Sequence, residues 1–399
     1  MTPAILRRIL GREESLFQAD MEAQAAQIAG HLRGARMLVI GAAGSIGAAF
    51  VRVAARYPLG GLRLVDPGEN NLVELVRELR AADARLPDDF ATSAIALGSV
   101  EFEHFWAAQK PFDLVVNFAA LKHVRAERDP FTLMRMLHVN ILALDELLAV
   151  LAVRPPGKFF SVSSDKAVNP VNLMGASKAL MERVMWRWSG DVTAVSSRFA
   201  NVAFSDGSLL HGFVRRLEKR QPLAAPLDVR RYFISHEEAG QLCLLALASG
   251  GNREIYLPKL DRGVDLVTFA RIAEIFLEEH GYRPRCFESD EEARLFAGSM
   301  APGCREWPCR FSGSDTSGEK EEEEFHAPGE EVDWGRFARV GVVTRALAGQ
   351  DEALARFLVG MRQMREAPRW RMEEMVSALQ QAVPTLAHLD TGRDLDGKM

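Results

Sequence analysis

Met37-Leu38-Val39-Ile40 is a short apolar run that stops at Gly41-Ala42-Ala43-Gly44-Ser45-Ile46-Gly47, and an amphipathic segment then continues to about Arg56. Few arrangements satisfy that order. The run reads as a buried strand, the glycines as a tight turn, and the amphipathic stretch as a helix that packs back on the strand. A strand that feeds a helix through so short a turn cannot pair with the next strand as a hairpin. It needs a crossover, which places the next strand parallel to the first.

The rest of the chain repeats the pattern. Strands are expected at Leu62–Val65, Ser93–Leu97, Phe112–Phe118, Lys158–Val162 and Val192–Val195, with helices from Asn70 to Arg80 and from Pro130 to Leu151 between them. Alternating strands and helices predict an α/β fold, a doubly wound parallel sheet covered on both faces. Residues 1–35 have helical spacing and are expected as helices before a dinucleotide-binding domain over 36–204, to which 228–257 returns. Residues 205–348 are expected to form mainly a smaller substrate-binding part, with helical pieces at Leu209–Arg220, His236–Ala248 and Leu266–His280. Residues 349–399 are expected as C-terminal helices and a tail. The acidic stretch Asp315–Asp333 reads as a solvated face.

With 399 residues, 48% hydrophobic and 26% charged, the chain has enough apolar material for a sizeable core plus additions. A formal charge of -5 and a pI near 6.1 give no overall attraction to nucleic acid or to an anionic membrane. No unbroken apolar run approaches the roughly 18 residues of a spanning helix, and no secretory signal is legible, so a cytoplasmic protein is expected. Cys243, Cys286, Cys304 and Cys309 have neither disulfide-framework nor zinc spacing and are expected as ordinary thiols, with no metal.

The glycine turn sits where a strand meets a helix amino terminus, and the free amides and dipole of such a terminus favour a pyrophosphate. Gly41, Gly44, Ser45, Ile46 and Gly47 are the candidate contacts. Asp66 closes the second strand about twenty residues further on, where a carboxylate accepts from ribose hydroxyls and repels a 2'-phosphate. NAD is therefore the expected cofactor.

The densest chemistry lies in Ser163-Ser164-Asp165-Lys166-Ala167-Val168-Asn169-Pro170, followed by Met174 and Lys178. Asp165 and Lys166 follow the fifth strand at its carboxyl end, where open parallel sheets bind ligands. Met174 and Lys178 share a face if both are helical. With Asn117-Phe118-Ala119-Ala120, Lys122-His123-Val124, Arg198-Phe199-Ala200-Asn201-Val202 and Arg231-Tyr232-Phe233, these motifs resemble the extended short-chain dehydrogenase/reductases. Within them they resemble the nucleotide-sugar 4,6-dehydratases of polysaccharide biosynthesis. Methionine at position 174, where many relatives have tyrosine, is similar to the long-form members acting on UDP-N-acetylglucosamine. Those long forms carry an amino-terminal membrane region, in whose place only the helices of 1–35 are expected here.

The resemblance implies a Rossmann-like domain, NAD, and a nucleotide-sugar substrate that loses hydride from C4, loses water across C5 and C6, and regains hydride at C6. It implies Asp165 as acid at the C6 hydroxyl, Lys166 as base at C5, Ser164 as the group orienting the C4 hydroxyl, and Lys178 on the nicotinamide ribose. Ala119 and Ala120 would also contact the cofactor, while Lys122, His123, Asn201 and Arg231 would contact substrate. Asn140 would act through its position near the site, and Arg198 reads equally as a buried ion-pair partner. Lys166 must be neutral for part of that cycle, which predicts a lowered pKa. Met174 cannot take the C4 hydroxyl proton, so that role falls to Asp165, a water or another group.

Two motifs depart from the family pattern. Thr316-Ser317-Gly318-Glu319-Lys320 stands where members have Arg-Pro-Gly-Glu-Lys, and Gly98-Ser99-Val100 lacks the aspartate usual after the third strand. The competing readings are a 4-epimerase or a C3 or C4 dehydrogenase of the same fold, and a non-catalytic NAD- or nucleotide-sugar-binding scaffold. A homo-oligomer is expected, since helices flanking such cores often make subunit contacts.

Overall fold

The computed structural model describes residues 3–82, 84, 86–122, 127–313, 323–344 and 351–388. Their strands, in chain order, are β1 (Arg36–Ile40), β2 (Gly61–Val65), β3 (Asp89–Ser93), β4 (Leu114–Asn117), β5 (Lys158–Val162), β6 (Ala194–Ser197), β7 (Asn201–Val202), β8 (Leu223–Pro226), β9 (Arg230–Ile234), β10 (Glu254–Pro258), β11 (Leu266–Thr268), β12 (Arg283–Cys286), β13 (Glu306–Ser312), β14 (Val332–Asp333) and β15 (Val340–Thr344).

Nine of them form one sheet in the order β14-β15-β10-β6-β5-β4-β1-β2-β3. From β3 to β10 every pairing is parallel, and β15 closes the far edge antiparallel to β10. β1 lies between β2 and β4, so the chain order reverses there. A sheet of this kind opens a crevice at that reversal, beyond the carboxyl ends of the strands.

Apolar side chains cover both faces, as expected of a doubly wound sheet. One face packs against the helices Ala25–Leu32, Ser45–Ala54 and His236–Ser249. The other packs against Val100–Ala107, Leu173–Arg187, Glu352–Glu366 and Met372–Ala382. It also carries the run Pro130–Val153, which continues through a π turn at His138–Leu142. That run is long and apolar enough to cross a membrane by length and composition, unlike anything expected from the sequence, but 61% of its apolar window is buried inside the fold. It is a core helix here.

Two small sheets, β11-β9-β7 and β12-β13-β8, join the helices Leu209–Glu218 and Phe269–Glu279 in a second apolar cluster. Several boundaries shift from the sequence reading. β3 begins four residues early because an exposed edge strand has little apolar pattern to mark it. β6 lies two residues late, in register with β5. Leu266–Thr268 is strand, and Thr268 then caps the helix that follows. Residues 332–344, grouped above with the substrate-binding part, add to the edge of the large sheet. Within 228–257, β9 stays in a small sheet, and the helix His236–Ser249 and β10 return.

The N-terminal helices divide between the two parts. Ile5 and Ile9 are buried in the small cluster, and Ile28 and Leu32 in the large one. Between them Arg12 clamps Glu238 through two bonds of 2.7 Å.

Candidate active site

The glycines at the end of β1 answer different demands. Gly41 has φ +71, and a Cβ there would stand 2.5 Å from the Ala119 amide nitrogen, so the loops after β1 and β4 cross with no room for a side chain. A Cβ at Gly47 would stand 2.1 Å from the Gly41 carbonyl oxygen, so this glycine lets the helix sit on the turn. Gly44 occupies the N-cap with extended backbone and no capping side chain, which leaves the first-turn amides of Ser45–Ala54 for an anion. Gly44, Ser45 and Ile46 are half-buried at the mouth of the turn, as are Ala119 and Ala120 on the loop opposite.

Asp66 is buried and braces both sides of the crevice. One carboxylate oxygen accepts from the Ala43 amide at 3.0 Å and the other from the Gly68 amide at 2.8 Å. Each oxygen keeps a lone pair for a ribose hydroxyl. Ser45 Oγ donates to Asp206 at 2.8 Å and accepts from its amide at 2.9 Å, fastening the turn to the loop after β7. An open cap, a close-approach glycine and an acidic residue on β2 fit a dinucleotide.

Ser164 lies two residues beyond β5 and caps a short 3-10 turn, Asp165–Ala167, by accepting from the Lys166 amide at 3.0 Å; its hydroxyl donates to Asp165 at 3.0 Å. Lys166 Nζ lies 3.2 and 3.3 Å from the two Asp165 oxygens. The Asp165 side chain is 6% exposed and that of Lys166 40%, so the carboxylate is the buried partner and the ammonium the open one. Burial pulls the Lys166 pKa down, but Asp165 and Glu323 more than offset it, and the net shift is upward. The lowering expected from the sequence is not seen, because two carboxylates face this ammonium.

The helix Leu173–Arg187 starts at Asn172, which caps it through the Gly175 amide at 2.8 Å. A Cβ at Gly175 would lie 2.6 Å from the Lys166 carbonyl, so only glycine lets the helix rest on the 3-10 turn. Met174 is 3% exposed in the apolar core, and its amide donates to Glu127 at 2.9 Å. Lys178 is 4% exposed, its Nζ 3.4 Å from the Val162 carbonyl and 3.7 Å from Met181 Sδ. Burial, reinforced by Lys122 and opposed by Glu182, pulls its pKa down to about 8.

Asn140, in the π turn, is fully engaged. It accepts from the Leu121 amide at 2.8 Å and donates to the Leu121 carbonyl at 3.0 Å and to Ser177 Oγ at 2.9 Å. It thereby locks the loop bearing Lys122 to the helix bearing Lys178. A π bulge turns one side chain out of helical phase, which is what this bridge uses. Lys122 is open to solvent in the cleft. Crowding around it lowers its pKa, Lys166 adds to that, and Asp206 opposes. His123 and the 316–320 motif lie outside the described residues. Ser99 caps Val100–Ala107 through the Phe102 amide at 3.2 Å, a structural duty the usual aspartate would also perform.

Arg198 is an ion-pair residue. Its guanidinium takes both oxygens of Glu182 at 2.7 Å and those of Glu330 at 2.7 and 3.0 Å, and Ser163 Oγ adds a bond to Glu182 at 2.7 Å. Sequence reasoning missed the two glutamates, and it missed Glu323 entirely. Instead of lying on a solvated face, Glu323 folds inward with its side chain 4% exposed. It accepts from the Asn201 side-chain amide and, at 2.9 Å, from the Tyr232 amide, with Arg231 Nε at 3.8 Å. Burial, with Asp165 nearby, raises its pKa to about 7 against the opposing pull of Lys166 and Arg231. The one signal available was Phe325, which anchors the segment against Tyr232 with ring centroids 5.8 Å apart.

The structure thus defines a doubly wound α/β protein with a dinucleotide-type crevice and a carboxylate–ammonium cluster at its mouth. Residues 37–304 match the family model described as "Polysaccharide biosynthesis protein", and the chain belongs to that family. An uncharacterized membrane protein of Methanocaldococcus jannaschii is 33% identical over 63% of this chain and 74% of its own length. The capsular polysaccharide biosynthesis protein CapD of Staphylococcus aureus is 30% identical over 65% of this chain and 43% of its own, so the chain matches less than half of that relative.

Among solved structures, Pen from Bacillus thuringiensis has a TM-score of 0.64 at 20% identity, covering 80% of this chain and 91% of its own. The dTDP-glucose 4,6-dehydratase DesIV from Streptomyces venezuelae, with NAD bound, scores 0.51 at 19% identity, covering 70% and 88%. A UDP-N-acetylglucosamine 4-epimerase from Methanobrevibacter ruminantium scores 0.54 at 16% identity, covering 75% and 91%. These likenesses are of fold.

Proposed function

We propose that this protein is an NAD-dependent nucleotide-sugar 4,6-dehydratase, with UDP-N-acetylglucosamine its substrate. The observation that carries the reading is the Asp165–Lys166 pair, with Nζ within 3.3 Å of both carboxylate oxygens at the carboxyl end of β5. Elimination of water from C5 and C6 requires a base at one carbon and an acid at the oxygen of the next, and adjacent residues of opposite type supply both. A 4-epimerase has no use for such a pair.

The dinucleotide would rest on the turn Gly41–Gly47 with its ribose on Asp66, and a bound nicotinamide supplies the hydride acceptor and donor at C4 and C6. Lys178 would hold the nicotinamide ribose, and Asn140 steadies the helix carrying it through Ser177. Ser164 donates to Oδ1 of Asp165, so Oδ2, which has Lys166 as its bonded partner, is the oxygen that would meet the C6 hydroxyl. Lys166, held charged by Asp165 and Glu323, becomes a base only once its proton has passed to Asp165 or substrate. The transfer is short because the two groups already share a hydrogen bond. With Met174 in the apolar core, Asp165 would also receive the C4 hydroxyl proton.

The test is incubation of the protein with NAD and UDP-N-acetylglucosamine. A 4-keto-6-deoxy product is expected, and Asp165→Asn should abolish it while NAD binding persists. A product inverted at C4 with its C6 hydroxyl intact would select the epimerase reading, toward which the epimerase neighbour points.

A further inference from the structure

In that scheme Glu323 serves only as a charge facing Lys166, yet its carboxylate is buried in the site and bonded to residues of other elements. Glu323 reaches it from a segment pinned at three further residues. Phe325 stacks on Tyr232 and gives its carbonyl to Arg198 at 3.1 Å, and Glu330 pairs with Arg198 at 2.7 Å. Glu324 accepts from Asn169 at 3.1 Å, beside the catalytic turn. The segment is fastened across the mouth of the cleft, and Glu323 is the side chain it points inward.

Its two bonded partners are both donors. The Asn201 side-chain amide gives a proton to one oxygen and the Tyr232 amide, at 2.9 Å, to the other. An ionised carboxylate accepts strongly at both oxygens; an amide places its N–H groups against one of the donors, and a protonated acid offers that donor only the weaker acceptor of its hydroxyl oxygen. Asn201 can answer that conflict only by turning its amide over, which surrenders its second bond to the Tyr232 carbonyl at 3.4 Å. Arg231, 3.8 Å from the same carboxylate, would lose a counter-charge at the same moment.

We propose that Glu323 is a positioning residue for substrate: as an acceptor-only carboxylate it fixes the amide of Asn201 and the guanidinium of Arg231, two of the side chains that would meet the nucleotide sugar. This rests on the dehydratase reading for the identity of the ligand, but the positioning itself does not. Glu323 needs its charge for the task, and the groups facing it are Asp165 and Lys166 on the 3-10 turn and Arg231 on β9. Because burial and Asp165 lift its pKa to about 7, the arrangement is complete above neutrality and lost as pH falls through that value.

Two measurements test it. In the wild-type protein the Asn201 side-chain amide resonance, assigned with Asn201→Asp, should shift with an apparent pKa near 7, and in Glu323→Gln it should be displaced and no longer titrate. With UDP-N-acetylglucosamine, Glu323→Gln should raise KM about tenfold or more at pH 8 with kcat changed far less, and the acid-side rise in wild-type KM should vanish; Glu323→Asp should restore the pH dependence in part. An Asn201 resonance indifferent to pH in the wild type, or a KM unchanged in Glu323→Gln, overturns the proposal. A wild-type protein inert toward every nucleotide sugar would instead remove the dehydratase reading, and the resonance would still decide the role of Glu323.

Discussion

Lys178 allows a prediction whose size can be worked out. Lys178 is 4% exposed, and among the described residues its ammonium has two weak hydrogen-bond contacts, the Val162 carbonyl at 3.4 Å and Met181 Sδ at 3.7 Å. Folding drops its pKa from 10.5 to about 8, which at 1.36 kcal/mol per decade is a penalty of about 3 kcal/mol on the charged form. Below pH 8 both folded and unfolded chains hold the proton, and the folded one bears the whole penalty. Between pH 8 and 10.5 the folded chain releases its proton while the unfolded chain keeps it, so stability rises with pH and the penalty disappears.

Lys178→Met removes the buried charge and nearly conserves volume. Less about 1 kcal/mol for the bond to Val162, it should stabilise the apoprotein by about 2 kcal/mol at pH 7. That is a rise in Tm of about 2 °C, and the gain should fade toward pH 10. Urea unfolding of both proteins across pH 7 to 10.5 measures it, and turnover of Lys178→Met should be lost in parallel. A variant no more stable than wild type at pH 7 would refute the argument that this lysine is held against its own solvation. So would a gain that persists undiminished at pH 10.5.

Two further substitutions probe the frame. Gly47→Ala puts a methyl 2.1 Å from the Gly41 carbonyl oxygen and should cost about 1–3 kcal/mol of stability, because backbone has to move. NAD affinity by calorimetry should fall with it, and an unchanged dissociation constant would mean the turn does not hold the dinucleotide. Arg198→Met leaves Glu182, 2% exposed, without its main partner and should cost about 3–5 kcal/mol. Adding Glu182→Gln should recover part of that loss, and a double variant as unstable as the sum of its parts would deny the coupling.

What the sequence revealed was local in the chain. The turn Gly41–Gly47 and the strand before it lie within a dozen residues, so their spacing alone implied the crossover and the crevice. Asp165 and Lys166 are neighbours, and Lys178 follows Met174 by one helical turn. What it hid depends on segments far apart. Glu323 looked solvated because a charge run normally is, and what reversed this was a set of donors from β7 and β9 that only the tertiary fold assembles. The same holds for Glu182 and Glu330, which meet at Arg198 from a helix and from the segment before β14. The lowered pKa expected for Lys166 failed for this reason as well, since burial was foreseen and the second carboxylate was not.

The replacement of tyrosine by Met174 has a charge consequence. Met174 sinks into the apolar cluster, so at that position the helix Leu173–Arg187 offers the cleft no hydroxyl beside the ammonium of Lys178. The proton-bearing groups are then Asp165, Lys166 and Glu323, two carboxylates around one ammonium, with Arg231 behind. Above neutrality these four charges cancel, and a pyrophosphate meets no net repulsion. Groups coupled this closely share their protons, so the apparent pKa values belong to the cluster. A substrate hydroxyl entering between Asp165 and Lys166 would compete for the same hydrogen bonds and ease the passage of the ammonium proton to Asp165, with Glu323 left as the acceptor for Asn201 and Tyr232. On the dehydratase reading the proton for the C6 hydroxyl thus comes from within the Asp165–Lys166 pair, and the site needs no tyrosine to supply it.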